Sequence, residues 1–279
     1  MKPSRAHLTT NSIGRKRADK WWIYGSTAKE LYESISDLSR VLVCSRIGNA
    51  FAFAFLEKGI VYNEKIVVFP FQDYFFFCLI QSRAHEVWAR CFSSTLKDDL
   101  QYTSSDCFET FPFPEHFESN PSLESSGQAY YEFRAALMVR NNEGLTKTYN
   151  RFHDPDERSP DILTLRDLHA AMDRAVLDAY GWTDLQPACA FLLDYEEDND
   201  EGESGGGRRR KKPWRYRWPD DVRDEVLARL LELNRQRALQ EGLRGDGGQS
   251  GGVARPRSRG RTPKPGGPPT LFGDDPRSG

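Results

Sequence analysis

The sequence predicts an α+β fold in which a module with a mixed sheet precedes a small helical region and a C-terminal tail. In the first half, Phe51, Phe53 and Phe55 alternate with alanines, and this period of two is typical of strands that cover a core. In the second half, apolar residues recur every three or four positions, which is typical of amphipathic helices. After residue 241, glycine, proline and arginine dominate, and such a composition cannot build a core.

The module of the first half combines helices and strands. Apolar residues at helical spacing predict a short helix over Thr27–Leu38, and Ser82 is the predicted N-cap of a helix that reaches Cys91. Pro112 and Pro114 end the module, because proline continues neither a helix nor a central strand. The predicted strands are Val41–Cys44, Phe51–Phe55, Ile60–Tyr62 after a turn at Gly59, Ile66–Phe69 and Tyr74–Ile80.

The second half predicts a polar loop and then helices. The loop covers Glu115–Gln128, and the first helix covers Ala129–Arg140. Ser159 followed by Pro160 and an acid is a strong helix start, and Gly181 ends that helix. A last helix opens at Pro219–Asp220–Asp221. The predicted segments are therefore 1–19 (a flexible basic arm or truncation edge), 20–114 (the module), 115–193 (the helical region), 194–213 (a charged disordered linker), 214–241 (the C-terminal helix) and 242–279 (a disordered tail).

Composition narrows the class of protein. The chain has 279 residues and a net charge of only −2, so its total charge does not indicate a polyanionic partner. The five cysteines form no C-x-x-C pair, and their apolar neighbours predict free thiols in a reducing compartment, with no structural zinc site. No apolar run is long enough to span a membrane. We therefore expect a soluble, cytoplasmic protein.

Three polar gaps between the predicted strands are candidate contact sites. The first contains Arg46 and Asn49, the second contains Lys65, and the third is Gln72–Asp73. Arginine can bind guanine and asparagine can bind adenine when a loop presents them to a groove. Ordinary surface turns are the competing interpretation for each gap.

Two further segments combine basic and aromatic residues. Lys20, Trp21 and Trp22 follow a basic arm, and Trp214, Tyr216 and Trp218 alternate with basic residues at the end of the linker. Such segments can contact nucleic acid, since cations neutralise phosphates and rings stack on bases or sugars. The alternative is that Trp21 and Trp22 are buried in the core and that the rings of the second segment pack on the preceding domain.

Residues that could support catalysis have simpler interpretations. His153 and its neighbouring aspartates predict a turn before a helix, and His169 predicts a hydrogen-bonded core histidine. The sequence contains no cofactor-binding glycine loop, no N-P-P-Y tetrapeptide, no D-x-K or E-x-K pair and no P-loop. We therefore assign no catalytic, cofactor-binding or metal-binding residue.

Several blocks carry a family resemblance: KWWIYG, RVLVCSRIGNAFAF, YTSSDCFETFPFP, GLTKTYNRFHDP, LRDLHAAMDRAVLDAYGW and YRWPDDVRDEVLARLLELN. Together they resemble the target-recognition domain and helical C-terminal region of large adenine-specific DNA methyltransferases of the fused restriction–modification (type IIG-like) and phage-defence kind. The resemblance extends from about Lys20 to Asn234. It implies double-stranded DNA as a partner and a catalytic methyltransferase domain or subunit that uses S-adenosylmethionine.

The resemblance thus predicts the recognition portion of such an enzyme without its catalytic domain, and a split subunit, a truncated gene and a decayed fragment are the three alternatives. The candidate DNA contacts are Lys20, Trp21, Trp22, Arg46, Asn49, Lys65 and Arg83, the last as a phosphate contact. The alternative is a non-catalytic protein-interaction module with no DNA affinity of its own.

Overall fold

The computed structural model describes residue 15 and residues 28–96, 99–193 and 214–246. The helices are α1 (Lys29–Ser34), α2 (Tyr74–Gln81), α3 (Arg83–Phe92), α4 (Pro121–Asn141), α5 (Leu145–Phe152), α6 (Pro160–Ala179) and α7 (Asp220–Asp246). The strands are β1 (Arg40–Ser45), β2 (Ile47–Gly48), β3 (Phe53–Glu57), β4 (Ile66–Phe69), β5 (Ser94–Leu96), β6 (Asp99–Gln101), β7 (Ala190–Leu193) and β8 (Trp214–Arg217). The described residues up to Ala238 form one compact unit, and those from Leu239 on belong to a second.

The main sheet has the order β3-β1-β4, and both neighbours run antiparallel to β1. Alternate residues of β1 therefore face opposite sides of the sheet. On one side Leu42 and Cys44 join the main core, and on the other side Val41 and Val43 join a smaller cluster around Ile35. The α+β class and the strands predicted around Val41, Phe53 and Ile66 are confirmed.

Two small sheets complete the β structure of the described residues. β2, β6 and β5 form an antiparallel sheet in that order, and β7 pairs with β8. The strand β8 occupies residues that we expected to belong to the C-terminal helix. The Tyr216 ring of β8 packs on the main core, and Trp218, the residue after the strand, is buried. Trp214, at the start of the strand, is exposed. Two of the three rings thus dock on the preceding domain.

The predicted strand at Tyr74–Ile80 is wrong, because these residues form helix α2. Seven consecutive apolar residues suit a buried helix as well as a buried strand, and periodicity alone does not separate the two. The helix is buried over Phe76–Gln81 and packs against β3, α4 and α6. It leads directly into α3, where the Ser82 side chain accepts a hydrogen bond from the main-chain N–H of His85, as a cap should.

Three other expectations also need correction. Ile60–Tyr62 is not a strand, because β3 and β4 lie on opposite sides of β1 and this segment has to cross between them.

The predicted loop over Glu115–Gln128 is mostly helix α4, whose N-cap Asn120 accepts hydrogen bonds from the N–H groups of the first turn. Ser159 precedes α6 as predicted, but its hydroxyl accepts a hydrogen bond from Arg151 and does not cap the helix.

A buried polar network connects the edge strand β3 to the helices. The side-chain oxygen of Gln81 accepts a hydrogen bond from the N–H of Phe53 (2.9 Å), and its nitrogen donates to the carbonyl of Phe51 (2.9 Å). Arg134 of α4 donates to the Phe53 carbonyl, to Gln81 and to the hydroxyl of Tyr149. The outward main-chain groups at the start of β3 are therefore bonded without a neighbouring strand.

Helices α2 and α4 cross at Gly127. A Cβ atom at this position would lie 2.3 Å from the carbonyl oxygen of Tyr74 and 3.0 Å from the Cβ of Cys78. Because the nearest atom belongs to a helix main chain, it cannot rotate away as a flexible side chain would. The close approach of the two helices thus requires glycine.

We expect Gly127→Ala to lower the free energy of unfolding by about 1–3 kcal/mol, because overpacking outweighs the helix propensity of alanine. Chemical denaturation checks this. The matched control is Gly48→Ala, where a Cβ atom would meet its nearest neighbour, the Ser45 hydroxyl, at an ordinary 3.8 Å. That variant should stay within about 0.5 kcal/mol of the parent. Equal losses in the two variants would contradict the assigned crossing.

Candidate nucleic-acid interface

Two of the three polar gaps lie at the same end of the main sheet. The strand register pairs Ser45, the last residue of β1, with Ile66, the first residue of β4. Beyond this pair the two loops continue side by side, and the N–H of Arg46 donates to the carbonyl of Lys65 over 2.8 Å. We call the residues Arg46, Ile47, Asn49 and Lys65 the recognition edge.

The main chain of Arg46 is held from both sides. Its N–H is bonded to Lys65, and its carbonyl accepts a hydrogen bond from the N–H of Tyr102 (2.8 Å). Tyr102 itself is buried, with its hydroxyl 2.9 Å from Nε2 of His85. The Arg46 side chain is exposed and makes no ion pair or hydrogen bond with the described residues. A fixed main chain thus presents a free guanidinium group to solvent.

Lys65 is presented in a similar way. The side-chain oxygen of Asn63 accepts a hydrogen bond from the N–H of Lys65 (2.9 Å), and the carbonyl of Asn63 accepts another from Ile66 (3.2 Å). These bonds close a turn that leads into β4. The Lys65 ammonium group is exposed and makes no ion pair with any residue that the structure describes, while the exposed Glu64 stands beside it in the chain. The local charge of the edge is therefore positive but small.

Asn49 lies in the bend between β2 and β3. Its side chain is exposed and makes no hydrogen bond within the described ranges. An asparagine amide can both donate to and accept from a base edge. The chain thus offers a free amide three residues after the Arg46 guanidinium group.

The third polar gap lies elsewhere. Gln72 follows the far end of β4, and its side-chain oxygen accepts hydrogen bonds from Ser39, while its carbonyl accepts one from Arg40. Arg40 in turn lies over the rings of Phe55 and Tyr74. Gln72 therefore stabilises the opposite end of the sheet, and only two of the three candidate gaps lie at one end.

Arg83 is not a surface residue, and our expectation of a phosphate contact is corrected. Its side chain is 4% exposed and forms an ion pair with Asp173 of α6 over 2.8 Å. It also donates to Nδ1 of His169 and to the main-chain carbonyl of Tyr216. The guanidinium group therefore joins α3, α6 and β8 inside the protein and is not available to DNA.

The remaining candidates divide into two groups. Lys20, Trp21 and Trp22 lie outside the described residues. His169 is a buried hydrogen-bonded histidine, and His153 accepts a hydrogen bond from the N–H of Tyr216. The sequence-based list of candidate contacts did not include Ile47, which is an exposed apolar residue inside a polar gap. An isoleucine between Arg46 and Gly48 is visible in the sequence and could have been included.

Neither a metal site nor a membrane-spanning element is found in the part of the chain that the structure describes. No three His, Cys, Asp or Glu side chains come together there as a metal ion would require. Over the same residues, no helix combines the length and the apolar content needed to cross a bilayer.

Comparison with known proteins identifies the segment that carries the recognition edge. Residues 38–115 match the family model described as MmeI, target recognition domain. The match includes the main sheet, α2, α3 and both exposed loops. It confirms, for this segment, the resemblance to the recognition part of a restriction–modification enzyme. No curated protein matches the chain.

A solved structure agrees with this result at the level of the fold. The structure of the type IIL restriction–modification enzyme MmeI in complex with DNA matches with a TM-score of 0.56 at 16% sequence identity. The match covers 84% of this chain and 25% of that chain, so the present chain spans about a quarter of the length of that enzyme. At this identity the likeness establishes a shared fold for most of the chain.

The different positions of Arg83 and Arg46 lead to a stability prediction. Arg83→Met should lower the free energy of unfolding by about 3–5 kcal/mol, because it leaves the Asp173 carboxylate buried without its partner. Arg46→Met removes an exposed side chain and should change it by less than about 0.5 kcal/mol. Urea denaturation of both variants gives the comparison. A loss of less than 1 kcal/mol for Arg83→Met would show that Arg83 is not buried in an ion pair.

Two buried histidines, His85 and His169, and the half-buried His153 predict a pH dependence of stability. Burial lowers the pKa of His85 to about 3, and burial with nearby arginines lowers the pKa values of His153 and His169. The unfolded chain therefore binds more protons than the folded one as the pH falls through about 6.5, the ordinary histidine pKa. The free energy of unfolding should have its highest value above pH 7 and should decrease as the pH falls below about 6.5.

Each histidine that stays neutral in the folded chain should contribute up to about 1.4 kcal/mol per pH unit to this decrease. Denaturation curves between pH 7.5 and 5.5 measure it. His85→Phe, placed among the aromatic rings that already surround this residue, should remove about a third of the slope. A stability that does not change over this pH range would contradict the burial of these rings.

Proposed function

We propose that this chain is the DNA sequence-recognition portion of a restriction–modification enzyme, and that its recognition edge contacts double-stranded DNA. One observation carries the proposal: two exposed cations and a free amide stand on a fixed main chain within the segment that matches a target recognition domain. Phosphate contacts give affinity and position, and contacts with base edges give sequence selectivity.

The residues of the edge have different roles in this proposal. Arg46 and Lys65 lie next to each other, and their charges release counterions when they approach phosphates. Asn49 reads a base, since its amide matches the donor and acceptor pattern of adenine in the major groove. Lys20, Trp21 and Trp22 stay in the proposal as additional contacts from the segment that precedes α1.

The chemistry belongs to another part of the enzyme in this proposal. We assign adenine-specific methyl transfer, with S-adenosylmethionine as the methyl donor, to a catalytic methyltransferase domain or subunit outside these residues. The chain would fix the register on the duplex while an adenine is flipped into that domain. The type IIG-like organisation and the role in phage defence remain predictions from the family resemblance.

A salt titration of DNA binding tests the proposal. The full chain should bind a duplex with an affinity that falls as salt rises. Arg46→Gln combined with Lys65→Gln should make the slope of log K against log salt shallower by about 2, because each phosphate contact contributes about 0.9. Fluorescence anisotropy with a labelled duplex measures both quantities.

The control removes two positive charges elsewhere. Lys58→Gln with Lys147→Gln changes the net charge by the same amount, but Lys58 donates to Ser36 near the opposite end of the sheet, and Lys147 of α5 pairs with Glu143. This control should keep the parent slope. No binding at low salt, or the same slope change in both double variants, would reject the proposed interface.

A further inference from the structure

Ile47 is an exposed apolar residue at the centre of the recognition edge. Its side chain is 41% exposed, and its neighbours along the chain are Arg46 and, two residues on, Asn49. Single exposed apolar residues are common on protein surfaces and need no explanation by themselves. The position of Ile47 is unusual because the residues around it are cationic or amide-bearing.

The position of Ile47 is fixed by hydrogen bonds that do not involve its own side chain. β2 pairs with β6, and the register places Ile47 opposite Gln101. The hydroxyl of Ser45 donates to the carbonyl of Ile47 over 2.7 Å. The preceding residue, Arg46, is bonded on both sides. The branched side chain therefore stands on a main chain that cannot easily turn it toward the core.

The register also defines the direction of this side chain. The next pair of the ladder is Gly48 with Leu100, and Leu100 is buried. Since successive residues of a strand face opposite sides, Ile47 and Gln101 share the outward face of the small sheet. An apolar branch and an amide thus lie side by side on the outward face of this small sheet, and short antiparallel strands are among the elements that the major groove of DNA admits.

In the major groove, thymine presents an O4 acceptor and a 5-methyl group, whereas cytosine presents an N4 donor and no methyl group, and apolar side chains recognise the methyl group by contact. Neither Arg46 nor Asn49 can do so, because their free groups are polar. Ile47 has the complementary chemistry, and it is placed between residues suited to phosphates and to adenine.

We propose that Ile47 is a specificity-determining residue that contacts the 5-methyl group of a thymine in the target site. This inference rests on the proposed function and adds a base preference to it. Polar residues of the edge fix the position and read hydrogen-bonding groups, while Ile47 selects thymine over cytosine at one position.

The experiment compares thymine with deoxyuridine, which has the same hydrogen-bonding groups but lacks the methyl group. Selection from a randomised duplex library with the full chain first provides a preferred sequence. Each thymine of that duplex is then replaced in turn by deoxyuridine, and the dissociation constants of the parent and of Ile47→Ala are measured. At one position the parent should lose about fourfold in affinity, which corresponds to the burial of about one methyl group.

The Ile47→Ala variant should bind the thymine duplex about fourfold more weakly than the parent does and should lose nothing further with deoxyuridine at that position. Val139→Ala is the matched control, because Val139 is 82% exposed on α4 and lies outside the recognition edge. This control should keep the parent's sensitivity to the methyl group. Asn49→Ala should also keep it, with relaxed selectivity at a different base.

The outcomes separate the two proposals. Sequence-selective binding with no position at which Ile47 and the methyl group are coupled overturns the role of Ile47 and leaves the proposed function intact. Unchanged affinity of Ile47→Ala on every duplex does the same and would indicate that Ile47 faces a protein surface. No binding of any duplex at low salt overturns the proposed function and this inference together.

Discussion

The loop that carries Asn49 depends on two buried polar side chains, Gln81 and Arg134, which bond main-chain groups next to it that have no neighbouring strand. They bond the outward main-chain groups of Phe51 and Phe53, the residues that follow Asn49 in the chain. An unsatisfied buried group costs about 1–3 kcal/mol, so the start of β3 cannot leave this position without a large loss. Since Gln81 ends α2 and Arg134 lies on α4, the loop that carries Asn49 is tied directly to the helices behind it.

Three arginines are buried among the described residues, and two of them, Arg83 and Arg134, are stabilised differently. Arg83 has a carboxylate partner, Asp173, whereas Arg134 is bonded to neutral oxygens and lies 5.3 Å from the ring centroids of Phe77 and Tyr131. Aromatic faces attract a cation most strongly where water is excluded. Arg134 joins β3 to α4 and α5, and Arg83 joins α3 to α6 and β8. The two arginines thus connect the recognition module to the helical region, so binding need not order the edge at the moment of contact.

Sequence patterns predicted the parts of the fold that local chemistry determines. The alternation around Phe53, the cap at Ser82 and the helix start at Pro160 depend on nearby residues, and all three were confirmed. The segment Tyr74–Ile80 was wrong because a wholly apolar run has no period. Asn120–Pro121 is a good N-cap pair, but we placed it inside the predicted loop over Glu115–Gln128. Arg83 was misplaced because its partners lie 86 to 133 positions away, and no local pattern reveals them.

The edge shows a division between main-chain and side-chain roles. The bonds that hold it, from Arg46 to Lys65 and from Tyr102 to Arg46, use main-chain atoms that every residue except proline provides. The exposed side chains at positions 46, 47 and 65 make no bond within the described protein on which this geometry depends. Their replacement should therefore alter what the edge contacts at little cost in stability. A surface built in this way can change its preferred DNA sequence while Gln81 and Arg134 keep the same loop in the same place.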